Sequence, residues 1–534
     1  MAVATWMRAR HRAPRHTAAR KDLRRWLRIS VAMLSGLVLT SCAGNSSPNV
    51  ATTGGTLRVG LSGNQKLDDL NPALGRSIVG TLAYEPLIER APDGTYRPGL
   101  ATKWEYIGAG NTTFQLTLRQ NARFSDGTPV NSAAVKRWLE YVPQAKGYDS
   151  GRLQIASVET PDDWTVKINL SAASGYVAYW LSLRAWAWVP SSTAVSDPAS
   201  LSQATYGAGP YVLDPSQSVL GAQAVLTYLP NKYFYDKSKI HWNKIVLKQV
   251  TSPSSMLQAM QAHQFDVAFG DVSTADAAKA AGLTVTLNEV GWVGVQFYAG
   301  GNTGKPLSDV RVRQALNYAI DRKTIVTGLF GQWSHPTSQD VWVDAAPPLL
   351  DPKLQDFYGY DVAKAKGLLA AAGYPNGFSV NVLVQQDTGV YGDPLIQAVA
   401  KYLNAVGVNI NIIETPTQSV KVTKLLAGAA GGSVTAITAD AATGQQVYEG
   451  LYSPTGALHK FVNPDQTISR YLASLNTLPS TDQPVTVKKM VAYSIEQATQ
   501  MPVATVPNLV YVSSTVNAPL NTYGAYLLQW TPKS

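Results

Sequence analysis

The chain has 534 residues, of which 45% are hydrophobic and 15% charged, and it carries a formal net charge of +10. This balance excludes an intrinsically disordered chain, which would be rich in charge and poor in apolar side chains. The single cysteine excludes a disulfide framework and a cysteine-cluster metal site.

The positive charge is concentrated at the start of the chain. Residues 1–28 contain nine basic side chains and one acid, Asp22. Beyond residue 41 there remain 36 basic and 34 acidic side chains, a net charge of +2. This body has no stripe of Lys and Arg interleaved with aromatic residues, so we expect no nucleic-acid partner.

A targeting signal is predicted over residues 1–41. The apolar stretch Ile29–Leu39 follows the basic run and is shorter than the roughly 20 residues that span a bilayer. A basic run followed by a short apolar run is typical of a secretory signal. Leu39-Thr40-Ser41-Cys42 resembles the bacterial lipobox, which implies that Cys42 is lipidated and becomes the mature N-terminus. Arg24-Arg25 lacks the rest of a twin-arginine motif, so Sec export is expected.

The early part of the body is predicted to be rich in β-strands. Apolar and polar residues alternate over Thr56–Leu61, Phe114–Leu118 and Trp164–Leu170, which is the period of half-buried strands. A short helix over Ala134–Tyr141 is predicted after Asn131-Ser132.

From about residue 250 the pattern becomes α/β. Helix starts are predicted at Ser252-Pro253, Ser308-Asp309, Asp361 and Asp393-Pro394. The last of these helices lies between two strand-like runs, Phe378–Val384 and Val408–Ile412, which predicts a βαβ unit with parallel strands. The glycine-rich run Ala427–Gly432 is predicted to be a surface loop.

No catalytic pattern is found in the sequence. The histidines beyond the signal, His241, His263, His335 and His459, are far apart and form no His-Glu-x-x-His motif. Gly-x-Ser-x-Gly is missing, and Gly304-Lys305-Pro306 ends in proline where a phosphate loop requires Ser or Thr. We therefore expect no enzyme, no cofactor and no bound metal.

Three tryptophans cluster within nine residues, at Trp180, Trp186 and Trp188. Core packing is the more common role of any one tryptophan. A cluster of this kind also suits a groove for variable organic ligands, because indole offers apolar area with one polar group. Both interpretations stay open from the sequence.

A series of motifs along the chain resembles the family 5 extracellular solute-binding proteins, the oligopeptide-, dipeptide- and nickel-binding components of ABC importers. The motifs are, in chain order, Gly54–Val59, Leu70–Pro72, Tyr84–Ile88, Pro98–Glu105, Arg123–Val130, Gly207–Tyr211, Asp309–Arg322, Ala363–Leu369 and Ala372–Pro375. Their order and spacing cover nearly all of the chain beyond the signal.

The resemblance implies an α/β, two-lobe periplasmic-binding-protein type II fold, with an extra β-rich domain inserted in lobe one (cluster C). Ligand would be trapped between the lobes and handed to a membrane permease. The implied divisions are a signal over 1–41, tether and start of lobe one over 42–77, inserted domain over 78–195, lobe one continued over 196–291, lobe two over 292–504 and a return to lobe one over 505–534.

The resemblance also points to ligand-binding residues. In peptide-binding relatives an Asp at a strand end in lobe two holds the ligand's ammonium group, and Asp440 stands at the corresponding place. No Trp precedes it, and Ala441-Ala442-Thr443 replaces the relatives' Tyr-Pro-Asp-Pro, so an ordinary strand-end Asp is an equal alternative. Tyr84 and Trp186 are further candidates.

The predicted function is that of a lipid-anchored receptor of an ABC transporter that captures short peptides and delivers them to permease subunits. We expect a monomer on the outer face of the cell membrane. Two alternatives stay open. One is an envelope lipoprotein that uses the same fold as a regulatory or interaction module, and the other is an importer receptor for nickel or haem.

Overall fold

The computed structural model describes residues 54–533, apart from a set of short gaps. The gaps are 63–66, 68, 75–76, 92–94, 146, 148–149, 222, 341–350, 387, 439–440, 455, 457, 463, 479–481, 522–523 and 526. The predicted signal and Cys42 therefore lie outside the described residues, and so does Asp440.

Strands are found in the early, middle and final parts of the described chain. They are β1 (Gly54–Ser62), β2 (Ile88–Arg90), β3 (Tyr96–Pro98), β4 (Ala101–Tyr106), β5 (Thr113–Leu118), β6 (Ile155–Asp162), β7 (Thr165–Leu170), β8 (Tyr211–Leu213), β9 (Val225–Pro230), β10 (Trp242–Val250), β11 (Val267–Phe269), β12 (Thr284–Phe297), β13 (Phe378–Gln385), β14 (Val408–Thr415), β15 (Gly432–Thr438), β16 (Gln500–Val512), β17 (Val516–Asn517), β18 (Leu520–Asn521), β19 (Gly524–Ala525) and β20 (Thr531–Pro532).

Apart from the helix Ser132–Tyr141, the helices of nine residues or more lie after residue 250. The helices are α1 (Ser77–Ala83), α2 (Ser132–Tyr141), α3 (Val177–Trp180), α4 (Arg184–Ala187), α5 (Ser192–Ser196), α6 (Pro253–Gln261), α7 (Val272–Ala280), α8 (Val310–Tyr318), α9 (Arg322–Phe330), α10 (Val362–Ala371), α11 (Asp393–Asn404), α12 (Gln418–Leu426), α13 (Ala441–Tyr452), α14 (Gln466–Leu475) and α15 (Gln483–Glu496). Within the described ranges, none of these helices combines the length and the apolar character that crossing a membrane would require.

Side-chain caps fix several helix starts where the sequence predicts them. The side chains of Asn131, Ser252, Asp309 and Asp361 each accept a hydrogen bond from a backbone N–H of the first turn that follows. Such a cap satisfies one of the donors that a helix leaves free at its N-terminus. The capped starts of α2, α6, α8 and α10 confirm these predictions.

One large sheet of ten strands runs through the molecule, in the order β14-β13-β15-β12-β16-β11-β1-β10-β9-β8. Its two central strands, β12 and β16, pair antiparallel along most of their length. The end of β16 pairs with β11, whereas the second half of β12 pairs with β15. The same two strands therefore join the first sheet half (β8, β9, β10, β1, β11) to the second sheet half (β13, β14, β15).

The predicted βαβ unit is confirmed in the second sheet half. Strands β13 and β14 pair parallel from Phe378↔Val408 to Gln385↔Thr415. Helix α11 connects them and buries its apolar side, including Ile396 and Val399, against the sheet. Covering helices of this kind are the usual reason that parallel strands read as continuous apolar runs.

A separate antiparallel sheet, β4-β5-β7-β6, lies between β1 and β8 in the chain. The alternate residues of β5 and β7, such as Leu116 and Ile168, are buried in an apolar core that also contains Trp138 and Trp186. The strand predictions over Phe114–Leu118 and Trp164–Leu170 are confirmed. The domain limits predicted for this region stay predictions.

The motif Asp309–Arg322 packs α8 and α9 onto neighbouring elements. The fully buried Asn317 donates from Nδ2 to the carbonyls of Arg313 and Gln500. The buried guanidinium of Arg322 donates to the carbonyls of Pro502, Asn317 and Tyr358 and to Asn317 Oδ1. The motif Asp309–Arg322 thus supplies hydrogen bonds that hold α8 and α9 in the fold.

The surface loop predicted over Ala427–Gly432 is wrong for its second half. Ala430, Gly431 and Gly432 are buried, and Gly432 already begins β15. A Cβ atom at Gly431 would lie 2.7 Å from Gly304 Cα. Glycine is therefore needed here for a close approach of two backbones, not for a flexible turn.

Candidate functional site

A cavity of about 780 Å³, here called the main cavity, lies at the carboxyl ends of β13 and β15. It is lined by Arg152, Gln296, Tyr298, Val384, Gln385, Thr388, Tyr391, Gly392, Gln418, Lys421, Val422, Leu425, Leu426, Ser433, Val434, Thr435, Ala436, Ile437, Val447, Gly450, Leu451 and Leu458. Its volume is within the roughly 300–1,000 Å³ typical of small-molecule sites. Ligands of open α/β sheets usually bind outside the carboxyl ends of the strands.

A second cavity, of about 660 Å³, adjoins the main cavity and shares Arg152 and Gly450 with it. One wall is formed by residues that flank β6 and β7, within 151–154 and 172–180. The other wall is formed by α13 and α14. The two cavities together make a groove between the region of β4–β7 and the second sheet half.

The wall of the main cavity at β12 depends on a local irregularity of that strand. The pairing of β12 with β16 shifts register between Val293 and Gly294. A Cβ atom at Gly294 would lie 2.1 Å from the carbonyl oxygen of Met501, so only glycine fits. After this point Gln296 and Tyr298, two residues apart, share one face of the chain.

A small hydrogen-bond network forms part of the cavity wall. Gln296 Oε1 accepts from the hydroxyl of Tyr298 at 2.8 Å and from Thr435 Oγ1 at 3.2 Å. These two bonds fix the orientation of the amide. Its nitrogen makes no hydrogen bond to any residue that the structure describes, so it is left as a donor for a bound molecule.

Lys421 is the most unusual side chain of the main cavity. It lies on α12 and is only 9% exposed. Its ammonium donates to the carbonyl of Val434 at 2.9 Å, and no other described residue bonds to it. Burial lowers the pKa of this ammonium below its ordinary value, because a charged group loses hydration there.

A third cavity, of about 360 Å³, is lined by residues of α1, β2 and the segments 182–188 and 239–241, beside a partly buried ion-pair cluster. Lys239 bonds to Glu85 at 3.3 Å and to Glu89 at 2.7 Å, and the hydroxyl of Tyr235 donates to Glu85. Burial raises the pKa of Glu85, against the opposing effects of Lys239 and Tyr235. Burial alone would lower the pKa of Lys239, but the two carboxylates outweigh it and raise that pKa.

A buried acid, Asp340, lies behind the second sheet half. Its Oδ2 accepts from the hydroxyl of Tyr448, from Ser494 at 3.4 Å and from Gln500 Nε2 at 3.3 Å. Burial raises the pKa of Asp340 to about 7. Its second oxygen, Oδ1, has no hydrogen-bond partner among the described residues.

The structure places the sequence-predicted candidates in different surroundings. Tyr84 is buried, accepts a hydrogen bond from the backbone N–H of Tyr206, and contributes to the wall of the third cavity. Trp186 is fully buried in the core of the β4–β7 region, a packing position. The ligand-binding role predicted for Tyr84, Trp186 and Asp440 stays a prediction, and the structure does not bring Tyr84 or Trp186 into the main cavity.

The tryptophan cluster divides between the two roles considered from the sequence. Trp180 lines the second cavity and Trp188 lines the third, although both are almost fully buried. Trp186 lies in the core of the β4–β7 region. Three neighbouring tryptophans thus serve three different places, which their spacing alone did not indicate.

Sequence reasoning missed Lys421, Gln296 and Asp340. Lys421 and Leu425 are one helical turn apart and both face inward, which is the single pattern that points to a buried lysine. Within the described parts of the chain, no group of three His, Cys, Asp or Glu side chains is arranged to hold a metal ion.

The sequence matches a known family model. Residues 95–459 match the model of the bacterial extracellular solute-binding proteins, family 5. Among curated proteins, the heme-binding protein A of Haemophilus influenzae is 26% identical over 392 residues, covering 65% of this chain and 69% of that protein. The glutathione-binding protein GsiB of Salmonella typhimurium is 25% identical, covering 64% of this chain and 66% of that protein. The chain thus spans about two thirds of the length of these relatives.

Solved structures share the fold. The structure of the periplasmic binding protein AgaA from A. tumefaciens R10, in complex with agropinic acid, superposes with a TM-score of 0.72 at 24% identity. The match covers 90% of this chain and 99% of that chain. The predicted α/β fold class, that of the type II periplasmic binding proteins, is confirmed by this likeness. The limits of the inserted domain stay a prediction.

Proposed function

We propose a function from one premise: this chain belongs to the family 5 bacterial extracellular solute-binding proteins, whose model covers more than half of its length. The recognition drawn from the sequence motifs is confirmed by that match. The expectation that the chain is no enzyme is confirmed as well, because its relatives are solute-binding proteins.

The proposed function is capture of a short peptide in the groove and delivery of that peptide to the permease of an ABC importer. The observation that carries it is the main cavity, which has the volume of a small-ligand site and polar groups along β12 and β15. The backbone amides of a bound peptide need donors and acceptors of this kind, and its side chains need apolar surface.

Anchoring and location belong to the same proposal. The signal over residues 1–41 and the lipobox-like Leu39–Cys42 favour a protein held at the outer face of the cell membrane by lipid on Cys42. Metabolic labelling with a fatty acid tests this directly. We expect label in the wild-type protein and none in Cys42→Ser, and label retained by the Ser variant would contradict the proposal.

Native mass spectrometry of the purified protein tests ligand capture. We expect co-purified species whose mixed masses fit short peptides. Partial unfolding and refolding in buffer should release them, and added peptides should then raise the melting temperature. If a broad peptide library leaves the melting temperature unchanged and no small molecule co-purifies, the proposal fails, and a protein partner found by crosslinking would favour an interaction module.

A non-peptide ligand is the second candidate. The names of the relatives show that members of this family take different ligands, since one is named for heme and another for glutathione, and AgaA was solved with agropinic acid. The mass spectrum separates these cases, because a single co-purified mass that matches no peptide favours a dedicated non-peptide ligand.

A further inference from the structure

We propose that Lys421 is an anion anchor and that the ligand of the main cavity carries a carboxylate that pairs with its ammonium group. This inference rests on the proposed function, since it names the chemical class of ligand for the same cavity. It starts from a side chain that makes one hydrogen bond within the described protein and has further N–H donors left over.

An ammonium group has three N–H donors. That of Lys421 spends one on the carbonyl of Val434, at 2.9 Å. No carboxylate of a described residue forms an ion pair with it, and no second acceptor among those residues bonds to it. A cation that is only 9% exposed is costly unless acceptors of the protein or of a ligand use its donors, and Lys421 has just one such acceptor among the described residues.

A ligand carboxylate has space beside Lys421. Lys421 contributes to the wall of the main cavity, whose volume is about 780 Å³. A ligand carboxylate there would receive charge-assisted hydrogen bonds, which are among the strongest in proteins. At a largely buried group such as Lys421 this attraction is larger than at an exposed surface.

The charge of the cavity wall favours an anion over a cation. Among the described lining residues, the charged ones are Arg152 and Lys421, and no Asp or Glu is present. Of the neutral polar neighbours, Gln296 adds a donor rather than an acceptor, since its oxygen already accepts from Tyr298 and Thr435. Both observations point to an acceptor-rich ligand group on this side of the groove.

A structural role for Lys421 accounts for only part of these facts. The bond to Val434 ties α12 to β15, but a neutral donor such as Gln would provide the same tie without a buried charge. Lys424, one turn further along the same helix, is exposed and therefore serves as a matched control.

The test compares free acids with their amides. A tripeptide library with free carboxyl termini, the same library amidated at the C-terminus, and the non-peptide acids succinate and citrate are screened by melting temperature, and the dissociation constants of the best pairs are measured by calorimetry. We expect amides to bind about tenfold or more weakly than the matched acids, because the charged acceptor is lost. Lys421→Gln should weaken acid binding about 10- to 100-fold and leave amide binding unchanged, whereas Lys424→Gln should change neither.

Each outcome has a definite meaning. Equal affinity for acids and amides in the wild-type protein overturns the anion anchor and leaves ligand capture standing. Unchanged acid binding by Lys421→Gln overturns it as well. Binding of succinate or citrate alone, weakened in Lys421→Gln, supports the anchor and overturns the peptide as ligand. Absence of binding in every arm overturns both. The wild-type comparison needs no variant, so it holds even if Lys421→Gln folds poorly.

Discussion

Two buried cations, Arg322 on α9 and Lys421 on α12, differ in how their N–H donors are bonded. Both lie almost wholly out of water, at 4% and 9% exposure, and neither forms an ion pair with a described carboxylate. Burial lowers the pKa of each, that of Arg322 to about 10. The difference lies in their hydrogen bonds.

Arg322 uses four donor contacts within the protein, three of them to carbonyl oxygens at 2.8–3.2 Å and one to Asn317 Oδ1 at 2.6 Å. Its planar group matches acceptors that the fold already holds in place. Lys421 makes one contact and faces a cavity. A buried cation whose donors are used within the protein supports the fold, whereas one with unused donors beside a cavity points to a ligand.

The largest predicted effect tests the structural side of this comparison. Arg322→Met should lower the free energy of unfolding by about 4 kcal/mol or more, because it leaves the carbonyls of Pro502 and Tyr358 and the oxygen of Asn317 without their donor. Urea unfolding, followed by circular dichroism, measures the loss. Arg311→Ala is the control, since its ion pair with Asp309 lies at the surface and should contribute little to stability.

Equal losses in the two arginine variants would contradict the comparison. That result would mean that the buried guanidinium network contributes no more than a surface ion pair. A loss confined to Arg322→Met would show that the motif Asp309–Arg322 owes its specificity to packing and hydrogen bonding.

A buried acid extends the comparison to the opposite charge. The pKa of Asp340 is raised to about 7 from an ordinary value of 3.8, so the folded protein binds more protons than the unfolded chain between these limits. Stability therefore falls as pH rises from about 4 to 7 and is constant above that window, as far as this group is concerned. The total change is about 4 kcal/mol.

Asp340→Asn should remove this slope and should make the protein more stable than the wild type above pH 7. Unfolding free energies at pH 4.5, 6 and 8 measure the effect in both proteins. Asp393→Asn, at the exposed start of α11, should leave the slope unchanged. If the unfolding free energies of the wild type and of Asp340→Asn change with pH by the same slope between pH 4.5 and 7, Asp340 is not the cause of that slope.

The sequence predicted those parts of the fold that local chemistry decides. Asn131 and Asp361 cap their helices as predicted, because a cap depends on a few neighbouring residues. The parallel pairing of β13 and β14 also followed from the length and apolar pattern of the segment. Those signals are contained in short stretches of chain.

Contacts between residues far apart in the sequence could not be predicted from such local signals. Gly431 was predicted to be in a surface loop, but its backbone packs against Gly304, which lies 127 residues earlier in the chain. Lys421 and Lys424 are chemically equal in the sequence, and they differ in the structure because Lys421 lies on the inward face of α12 with Leu425 and bonds to Val434 of β15. The main cavity depends on such contacts, so its residues could not be read from motifs.

The smallest predicted effect concerns the unliganded protein. Lys421→Met removes a desolvated charge and one hydrogen bond, and these two changes act in opposite directions. The free energy of unfolding should therefore stay equal or rise by up to about 1 kcal/mol, in contrast to the large loss in Arg322→Met. The exposed Lys424→Met should change it by less than about 0.5 kcal/mol.

The pH dependence of this small effect separates a buried charge from simple repacking. The folded-state pKa of Lys421 is lowered below 10.5, so the unfolded chain binds the extra proton between the two values. Stability of the wild type should then rise as pH increases toward 10.5, and the advantage of Lys421→Met should shrink over the same window. A variant that is markedly destabilised at pH 7, with a constant difference up to pH 10.5, would mean that the fold itself depends on the ammonium, and Lys421 would then resemble Arg322 rather than a ligand anchor.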